Sequence, residues 1–147
     1  MKPTWVLVCG RDGARLFEHF GKDTKIRLVE TFLHPEGRLK EQDIVTDRAG
    51  RNFHRSDKVS HSGGKTGDPR AHSDRLFAQE IARHLKKSRE SSGYGRLYLV
   101  ASPHFMGILK EAVDPVTQKS VTGMLDKDLA HFSEADLYRI LSEELIL

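Results

Sequence analysis

Two apolar runs along the chain predict strands that are buried on both faces. Residues 4 to 9 read TWVLVC and residues 96 to 102 read RLYLVAS. Both runs are rich in strand-forming residues and are too short for a helix. Because neither run alternates polar with apolar residues, we expect both strands at the centre of one sheet.

The residues that follow the first run predict two more strands in an antiparallel meander. Asp12 and Gly13 separate the first run from ARLFEHF. An Asp-Gly pair between strand patterns is typical of a tight hairpin, since both turn positions tolerate positive φ. A turn at residues 21 to 23 then leads into IRLVETFLH, residues 26 to 34, and Pro35 ends this third strand.

Helical patterns occur only in the second half of the chain. Phe77, Ile81 and Leu85 form one apolar stripe, which predicts a helix capped by Ser73 or Asp74. The pair at residues 102 and 103, Ser-Pro, suits the N-cap and first position of a second helix. Residues 133 to 136 contain a partial capping box for a third helix.

The resulting order of elements is βββ-loop-α-β-α-β-α, with SVTGMLDKDL containing a short last strand. This order predicts an α/β fold with a mixed sheet. The length of 147 residues suits one domain spanning residues 1–147.

A long segment between Pro35 and the first helix has neither helix nor strand periodicity. We place a long basic loop at about residues 36–72, and loops of this length are usually either functional or disordered. The whole chain carries a formal charge of +3, and residues 46 to 75 alone also net +3. Residues 123 to 147 net −4. This asymmetry favours anionic partners at the loop, although a solvated charged loop remains the alternative.

The basic residues of this segment suit contact with the phosphates of RNA or another polyanion. Arg and Lys neutralise phosphates without reading base sequence, and glycines allow the backbone to approach closely. Phe53 is the only aromatic residue in the segment, so little base stacking is expected. The predicted anion- or RNA-binding residues are Arg48, Arg51, Arg55, Lys58, Gly63, Gly64, Lys65, Arg70, His72 and Arg75.

Two other patterns invite catalytic interpretations. SGGKTG resembles part of a phosphate-binding loop, but that motif requires a glycine five residues before Gly64, where Val59 stands. Asp12, Asp47 and Asp128 would suit metal-assisted phosphodiester cleavage if they met in the fold. The hairpin turn already accounts for Asp12, so we predict no catalytic residues from these patterns.

The histidines of the loop raise the possibility of a zinc or manganese site. His54, His61 and His72 lie among four aspartates. Their spacing matches no compact ligand motif, so polar residues in a solvated loop are the favoured interpretation. We therefore predict neither a metal nor another cofactor.

The remaining features of the sequence concern cellular location. Cys9 is the single cysteine, cannot form an intramolecular disulfide and lies in an apolar strand, so it is expected to be buried and inert. No run approaches the roughly 18 apolar residues of a membrane span. The N-terminal apolar stretch is also too short for a signal peptide. These features predict a cytoplasmic protein without a membrane partner.

Six segments, spread in order over nearly the whole chain, resemble the bacterial host attachment protein family. They are WVLVCGRDGARLFE, HPEGR, TDRAGRNF, DPRAHSDRLFAQEIARHL, LYLVASPHFMGILK and DKDLAH. The most specific part is D-R-x-G-R-x-F, followed by the F-A-x-x-I-A-x-x-L helix. That family is similar in turn to bacterial relatives of the archaeo-eukaryotic release factors, whose central domain is a mixed α/β sheet with a long loop before a helix.

The resemblance implies a binding protein rather than an enzyme. In the release factor domain, the equivalent loop carries a Gly-Gly-Gln tip that promotes hydrolysis of peptidyl-tRNA. Here Gly63 and Gly64 are followed by Lys65, so the resemblance does not extend to that activity. It implies a non-catalytic protein that contacts RNA or a ribosome-associated partner through its loop. The alternatives are a metal-dependent hydrolase or nuclease, and a factor that acts in host attachment itself.

Overall fold

The computed structural model describes residues 2–21, 25–34 and 69–145, which form one sheet with helices on both faces. The strands are β1 (Thr4–Cys9), β2 (Gly13–His19), β3 (Arg27–Leu33), β4 (Arg96–Val100) and β5 (Val121–Leu125). The helices are α1 (Pro69–Glu90), α2 (Pro103–Ala112), α3 (Pro115–Gln118) and α4 (Glu134–Leu145). None of these helices is long and apolar enough to cross a membrane.

The five strands are arranged in the order β3-β2-β1-β4-β5, which confirms the predicted mixed α/β sheet. β1 pairs antiparallel with β2 and parallel with β4, so that Leu7 lies between Leu16 and Leu99. β2 and β3 are antiparallel, and β4 and β5 are parallel. The two continuous apolar runs are therefore interior strands, as predicted, although β4 ends two residues earlier than expected.

Both faces of β1 are covered, which explains its unbroken apolar run. Side chains alternate between the two faces of a strand. Leu7 and Cys9 belong to the core beneath α1 and α2, whereas Val6 and Val8 belong to the core beneath α4. The predicted stripe of α1 is confirmed, since Phe77, Ile81 and Leu85 are all buried in the first core.

The β1–β2 hairpin lies where the Asp-Gly pair predicted it, but for a different reason. Among the described residues, the one non-glycine with positive φ is Ser92, so Asp12 does not adopt that conformation. The Gly10 N–H donates to the Gly13 carbonyl oxygen at 2.8 Å and closes the turn. A Cβ at Gly13 would collide with the Phe32 carbonyl oxygen of β3. The close approach of β3 therefore requires glycine here.

Helix α1 begins at Pro69, which corrects the predicted cap at Ser73 or Asp74. Proline suits the first position of a helix because it has no N–H to satisfy and its φ is already near the helical value. Ser73 is buried inside the helix rather than at its end. Arg70 and His72, which we predicted to be loop residues, are therefore helical.

The remaining helix starts are partly as predicted. Pro103 opens α2 after Ser102, but the Ser102 side chain makes no capping hydrogen bond. The Asp136 N–H donates to the Ser133 hydroxyl oxygen at 3.2 Å, which confirms a capping contact before α4. The one-turn helix α3 was not predicted. Its N-cap is Asp114, which accepts a hydrogen bond from the Thr117 N–H at 3.1 Å.

Candidate functional site

A cleft of about 460 Å³ opens at the carboxyl ends of β1 and β4. From β1 the chain turns towards β2 on one side, and from β4 it continues to β5 on the other side. In open α/β sheets, ligands bind at such a switch point, outside the carboxyl ends of the strands. The polar side chains that line the cleft belong to Arg11, His34, Arg70, Asp74, Ser102, His104 and Asp128.

One wall of the cleft is held by the segment that follows β5. A Cβ at Gly10 would overlap the Ala130 side chain, so glycine allows this segment to pack against the end of β1. The Arg15 guanidinium of β2 donates to the carbonyl oxygens of Ala130 and Phe132 at 2.7 and 2.9 Å. These contacts hold the chain beside Asp128, which lines the cleft.

Asp74 lies at the centre of the cleft's polar contacts. One of its carboxylate oxygens is 3.1 Å from Nε2 of His34, and the other is 3.6 Å from Nε2 of His104. An ionised carboxylate only accepts hydrogen bonds, so Nε2 of His34 carries the proton and donates it. Asp74 therefore connects the end of β3, the second turn of α1 and the start of α2.

The two histidines differ in solvent exposure. The His34 side chain is 6% exposed, and its ring stacks on Phe77 with 4.4 Å between centroids and 5° between planes. Its backbone N–H donates to the Asp12 carbonyl oxygen at 2.8 Å. The His104 side chain is 71% exposed. One fixed and one accessible imidazole therefore share a single carboxylate.

Positive charge and amide donors also reach the cleft. Arg11 lies in the turn after β1, and Arg70 lies in the first turn of α1. The first amides of any helix have no intrahelical acceptor, and the Ser102 side chain does not cap those of α2. Guanidinium groups and the amino end of a helix both favour an anionic group such as a phosphate.

The Cys9 thiol also lines the cleft but is buried. Burial raises the pKa of this thiol well above its ordinary value, because the charged thiolate would lose its hydration. The nucleophilic form is therefore disfavoured, which agrees with the expectation of an inert thiol.

The predicted binding residues divide into two groups. Arg70 lines the cleft, and His72 and Arg75 are exposed on the first turns of α1. The other predicted residues lie outside the described part of the chain, and their role stays a prediction. These are Arg48, Arg51, Arg55, Lys58, Gly63, Gly64 and Lys65.

The metal-site alternatives have a similar outcome. His54, His61 and Asp47 lie outside the described residues. Asp128 lines the cleft, whereas Asp12 lines a separate pocket of about 200 Å³. Within the described ranges, no group of three or more His, Cys, Asp or Glu side chains is arranged to hold a metal ion.

The two histidines that the fold brings together around Asp74 were not predicted as site residues from the sequence. His34 was assigned only to a strand end, and His104 only to the start of a helix. Their common signal is position, since His34 directly follows β3 and His104 lies four residues after the end of β4, as Arg11 lies two residues after the end of β1. Polar residues at these positions are candidates for a site in any parallel pair.

The fold and the cleft together define an α/β protein with an open cleft at the carboxyl edge of its sheet. Residues 5–141 match the model of the family described as "Protein required for attachment to host cells". The chain therefore belongs to this family, as its sequence resemblance predicted.

Other comparisons add little to this assignment. No curated protein matches the chain. The chain is similar to a solved structure described as "Archaeal protein", with 10% sequence identity and a TM-score of 0.47. The similarity covers 98% of this chain and 38% of that one, so the chain spans well under half of its length. The likeness to release factors stays a prediction.

Proposed function

We infer that the protein binds RNA, alone or within the ribosome, through the cleft and the basic segment that precedes it. The observation that carries this proposal is the position of Arg70. It belongs to the basic segment at residues 46 to 75 and also lines the cleft, together with Arg11 and the amino end of α2. The cleft would hold one phosphate, and the rest of the segment would contact its neighbours.

The start of α1 supports a continuous binding surface. Because the helix begins at Pro69, the last part of the basic segment lies on a rigid element rather than on a loop. His72 and Arg75 are exposed within the first two turns of this helix, close in sequence to Arg70. Arg and Lys contacts to phosphates are independent of base sequence, so the proposal is for backbone recognition.

The charge distribution supports the same assignment. Residues 46 to 75 net +3, whereas residues 123 to 147 net −4. A polyanion would therefore be attracted to one part of the molecule and repelled by another, which orients the encounter. A host surface or a protein partner would need no such concentration of basic residues.

A second candidate function is hydrolysis of a phosphate ester. The specific observation that favours it is the Asp74 carboxylate between His34 and His104. A carboxylate that orients an imidazole is a common element of general acid–base catalysis. Binding remains the first proposal because either function requires it.

Crosslinking in the native cells tests the proposal. We expect ultraviolet light to attach RNA to the wild-type protein, and ribosome co-sedimentation to show whether this RNA is ribosomal. Recovery should fall in Arg70→Ala and in the quadruple alanine variant of Arg48, Arg51, Arg55 and Lys65. The matched control is Arg83→Ala, which changes an exposed arginine on the same helix, about 20 Å from Arg70 at 1.5 Å per residue.

Two results would contradict the proposal. One is recovery of no RNA above the uncrosslinked background from the wild type. The other is equal recovery from the wild type, Arg70→Ala and the quadruple variant. Either result, combined with detection of the protein on the cell surface, would favour a direct attachment factor instead.

A further inference from the structure

We propose that His104 is a general base, oriented by Asp74, for cleavage of RNA bound in the cleft. This inference rests on the proposed function and adds a reaction to it. It also departs from the non-catalytic role that the family resemblance implied. Three features support it, namely an accessible base, a fixed carboxylate and a substrate that supplies its own nucleophile.

His104 has the accessibility that a general base requires. Its side chain is 71% exposed, and it stands at the amino end of α2, where the helix meets the cleft. Nε2 is the ring nitrogen that faces Asp74, at 3.6 Å. Nδ1 is therefore the nitrogen that takes a proton from the substrate. A base oriented by a third group is the usual arrangement for acid–base catalysis.

Asp74 and His34 act as positioning residues. The Asp74 side chain is only 14% exposed, and His34 donates a hydrogen bond to its other oxygen at 3.1 Å. The His34 ring is fixed in turn by its stacking on Phe77. A charge-assisted hydrogen bond from a buried donor limits rotation of the carboxylate. The oxygen that faces His104 therefore has a defined position.

The arrangement exceeds what is needed to anchor a helix. An anchoring contact needs one donor, and His34 already supplies it to Asp74 from the end of β3. The second oxygen is directed towards a largely exposed ring. Exposed contacts of this kind add little stability. His104 lines the same cleft as Arg11 and Arg70, and this combination suits a reaction at phosphorus.

RNA suits this site because its 2′-hydroxyl is a nucleophile next to each phosphate. Nδ1 of His104 takes the proton of the 2′-hydroxyl, and the 2′ oxygen forms a bond to the adjacent phosphorus. The bond from phosphorus to the 5′ oxygen breaks, and that oxygen takes a proton from a water in the cleft. The imidazolium then returns its proton to solvent, which restores the balance. The products are a 2′,3′-cyclic phosphate and a free 5′-hydroxyl.

The cleft's positive groups would assist at the step where charge develops. The phosphorus gains a fifth oxygen and an additional negative charge in the transition state. Arg11 and Arg70 line the same cleft as His104 and would stabilise that charge. Preorganised donors of this type usually provide the largest single contribution to catalysis.

The test uses the full chain and two probes. One is an end-labelled single-stranded RNA oligonucleotide of mixed sequence, and the other is its fully 2′-O-methylated form. We expect the wild type to cleave the first to 2′,3′-cyclic phosphate ends, and to bind the second without cleaving it. His104→Gln should cleave at least about 100-fold more slowly, the lower limit for loss of a general base. It should bind the methylated RNA as the wild type does.

Matched variants separate catalysis from structure. His131→Gln changes an exposed histidine that lines the neighbouring pocket, so it should cleave at the wild-type rate. Asp74→Asn should lower the rate at saturating RNA and leave the affinity for methylated RNA unchanged. Asp74→Glu should restore part of that rate. Circular dichroism shows whether each variant is folded, and His104→Gln keeps the test decisive if an Asp74 variant unfolds.

The outcomes distinguish this inference from the proposed function. If the methylated RNA does not bind, the proposed function fails, and this inference fails with it. Binding without cleavage overturns the inference alone. It is also overturned by equal rates in the wild type and His104→Gln, by 3′-hydroxyl products, or by complete loss of cleavage in a chelator.

Discussion

The two ends of the interior strands differ in the side chains that surround them. At the amino end, the Trp5 ring stacks on the rings of Tyr94 and His84, with centroids 4.7 and 6.3 Å away. The Tyr94 hydroxyl donates to the Leu85 carbonyl oxygen at 2.8 Å. At the carboxyl end of the same strands, charged side chains from separate elements line an open cleft. The amino end therefore buries aromatic rings, and the Trp5 indole N–H there has no hydrogen-bond partner among the described residues, whereas the carboxyl end has charged side chains around an open cleft.

Polar side chains around α3, which also lies at the amino end, find hydrogen-bond and ion-pair partners within the protein. Asp114 caps α3, and its carboxylate also lies 3.8 Å from the Arg89 guanidinium. Arg89 donates to the Thr117 hydroxyl at 3.0 Å, and Thr117 donates its own hydroxyl proton to Asp114 at 2.6 Å. Substitutions here should change stability and leave RNA binding unchanged. The opposite should hold for the two arginines that line the cleft, Arg11 and Arg70.

The largest effect on stability is expected where the core meets the cleft. Phe77→Ala removes a buried ring of α1 that stacks on His34, so it should lower the free energy of unfolding by about 3 to 5 kcal/mol. Urea unfolding of the wild type and the variant measures this loss. A change below about 1 kcal/mol would mean that the Phe77 ring contributes little packing energy, and that its stacking does not hold His34 in place.

Asp114→Ala should lower the free energy of unfolding by less than Phe77→Ala does, because it changes only the cap of α3 at the amino end. Loss of an N-cap typically costs about 1 kcal/mol. The hydrogen bond from the Thr117 hydroxyl, helped by Arg89, holds the pKa of the Asp114 carboxyl below its usual value of 3.8. The wild type should therefore keep this stability above pH 3.8 and lose it as the pH falls through the lower folded-state pKa. Unfolding of both proteins at several acidic pH values tests this, and parallel losses would contradict it.

Tyr94→Phe should lower the free energy of unfolding by about as much as Asp114→Ala, or slightly less. It removes one hydrogen bond, worth roughly 0.5 to 1.5 kcal/mol, and keeps the stack on Trp5. Burial raises the pKa of Tyr94 from 10.0 to about 12, because the phenolate would lose its hydration. The stability linked to this group is therefore present below pH 10 and is lost as the pH rises from 10 to about 12. Ultraviolet titration of the phenol follows the ionisation, and an ordinary pKa for Tyr94 would contradict the buried placement.

The sequence predicted the elements of the fold better than their boundaries. Periodicity depends on which faces are buried, so β1, β4 and the stripe of α1 were all visible in the pattern. The start of α1 was misplaced because Ser73 and Asp74 are strong capping residues, and they outweighed the signal of Pro69. The helix α3 was missed because four residues are too few for a periodic pattern.

The candidate site could not be assembled from local patterns. His34, Asp74 and His104 come from the end of a strand, the middle of a helix turn and the start of another helix. Their meeting depends on the parallel pairing of β1 with β4 and on the packing of α1 against that pair. No spacing along the chain encodes these contacts. Of the predicted binding residues that the structure describes, Arg70 lines the cleft, because it lies in the first turn of α1.

The most direct test of RNA binding at the cleft compares arginines and lysines at the two ends of the strands. Each phosphate contact on a single strand adds about 0.7 to the slope of log affinity against log salt. The double variant Arg11→Ala/Arg70→Ala removes two cations from the cleft, and Arg96→Ala/Lys119→Ala removes two exposed cations from the amino end. Arg70 is half-buried and the other three side chains are exposed, and surface ion pairs contribute only about 0 to 1 kcal/mol, so we expect both variants to remain folded.

The measurement is binding of 2′-O-methylated RNA over a salt series, with circular dichroism as the check on folding. The account predicts weaker binding by the cleft variant and a slope reduced by about 1.4, with the amino-end variant unchanged. Equal affinities and slopes for the wild type and the cleft variant would contradict it, as would equal losses in the two variants.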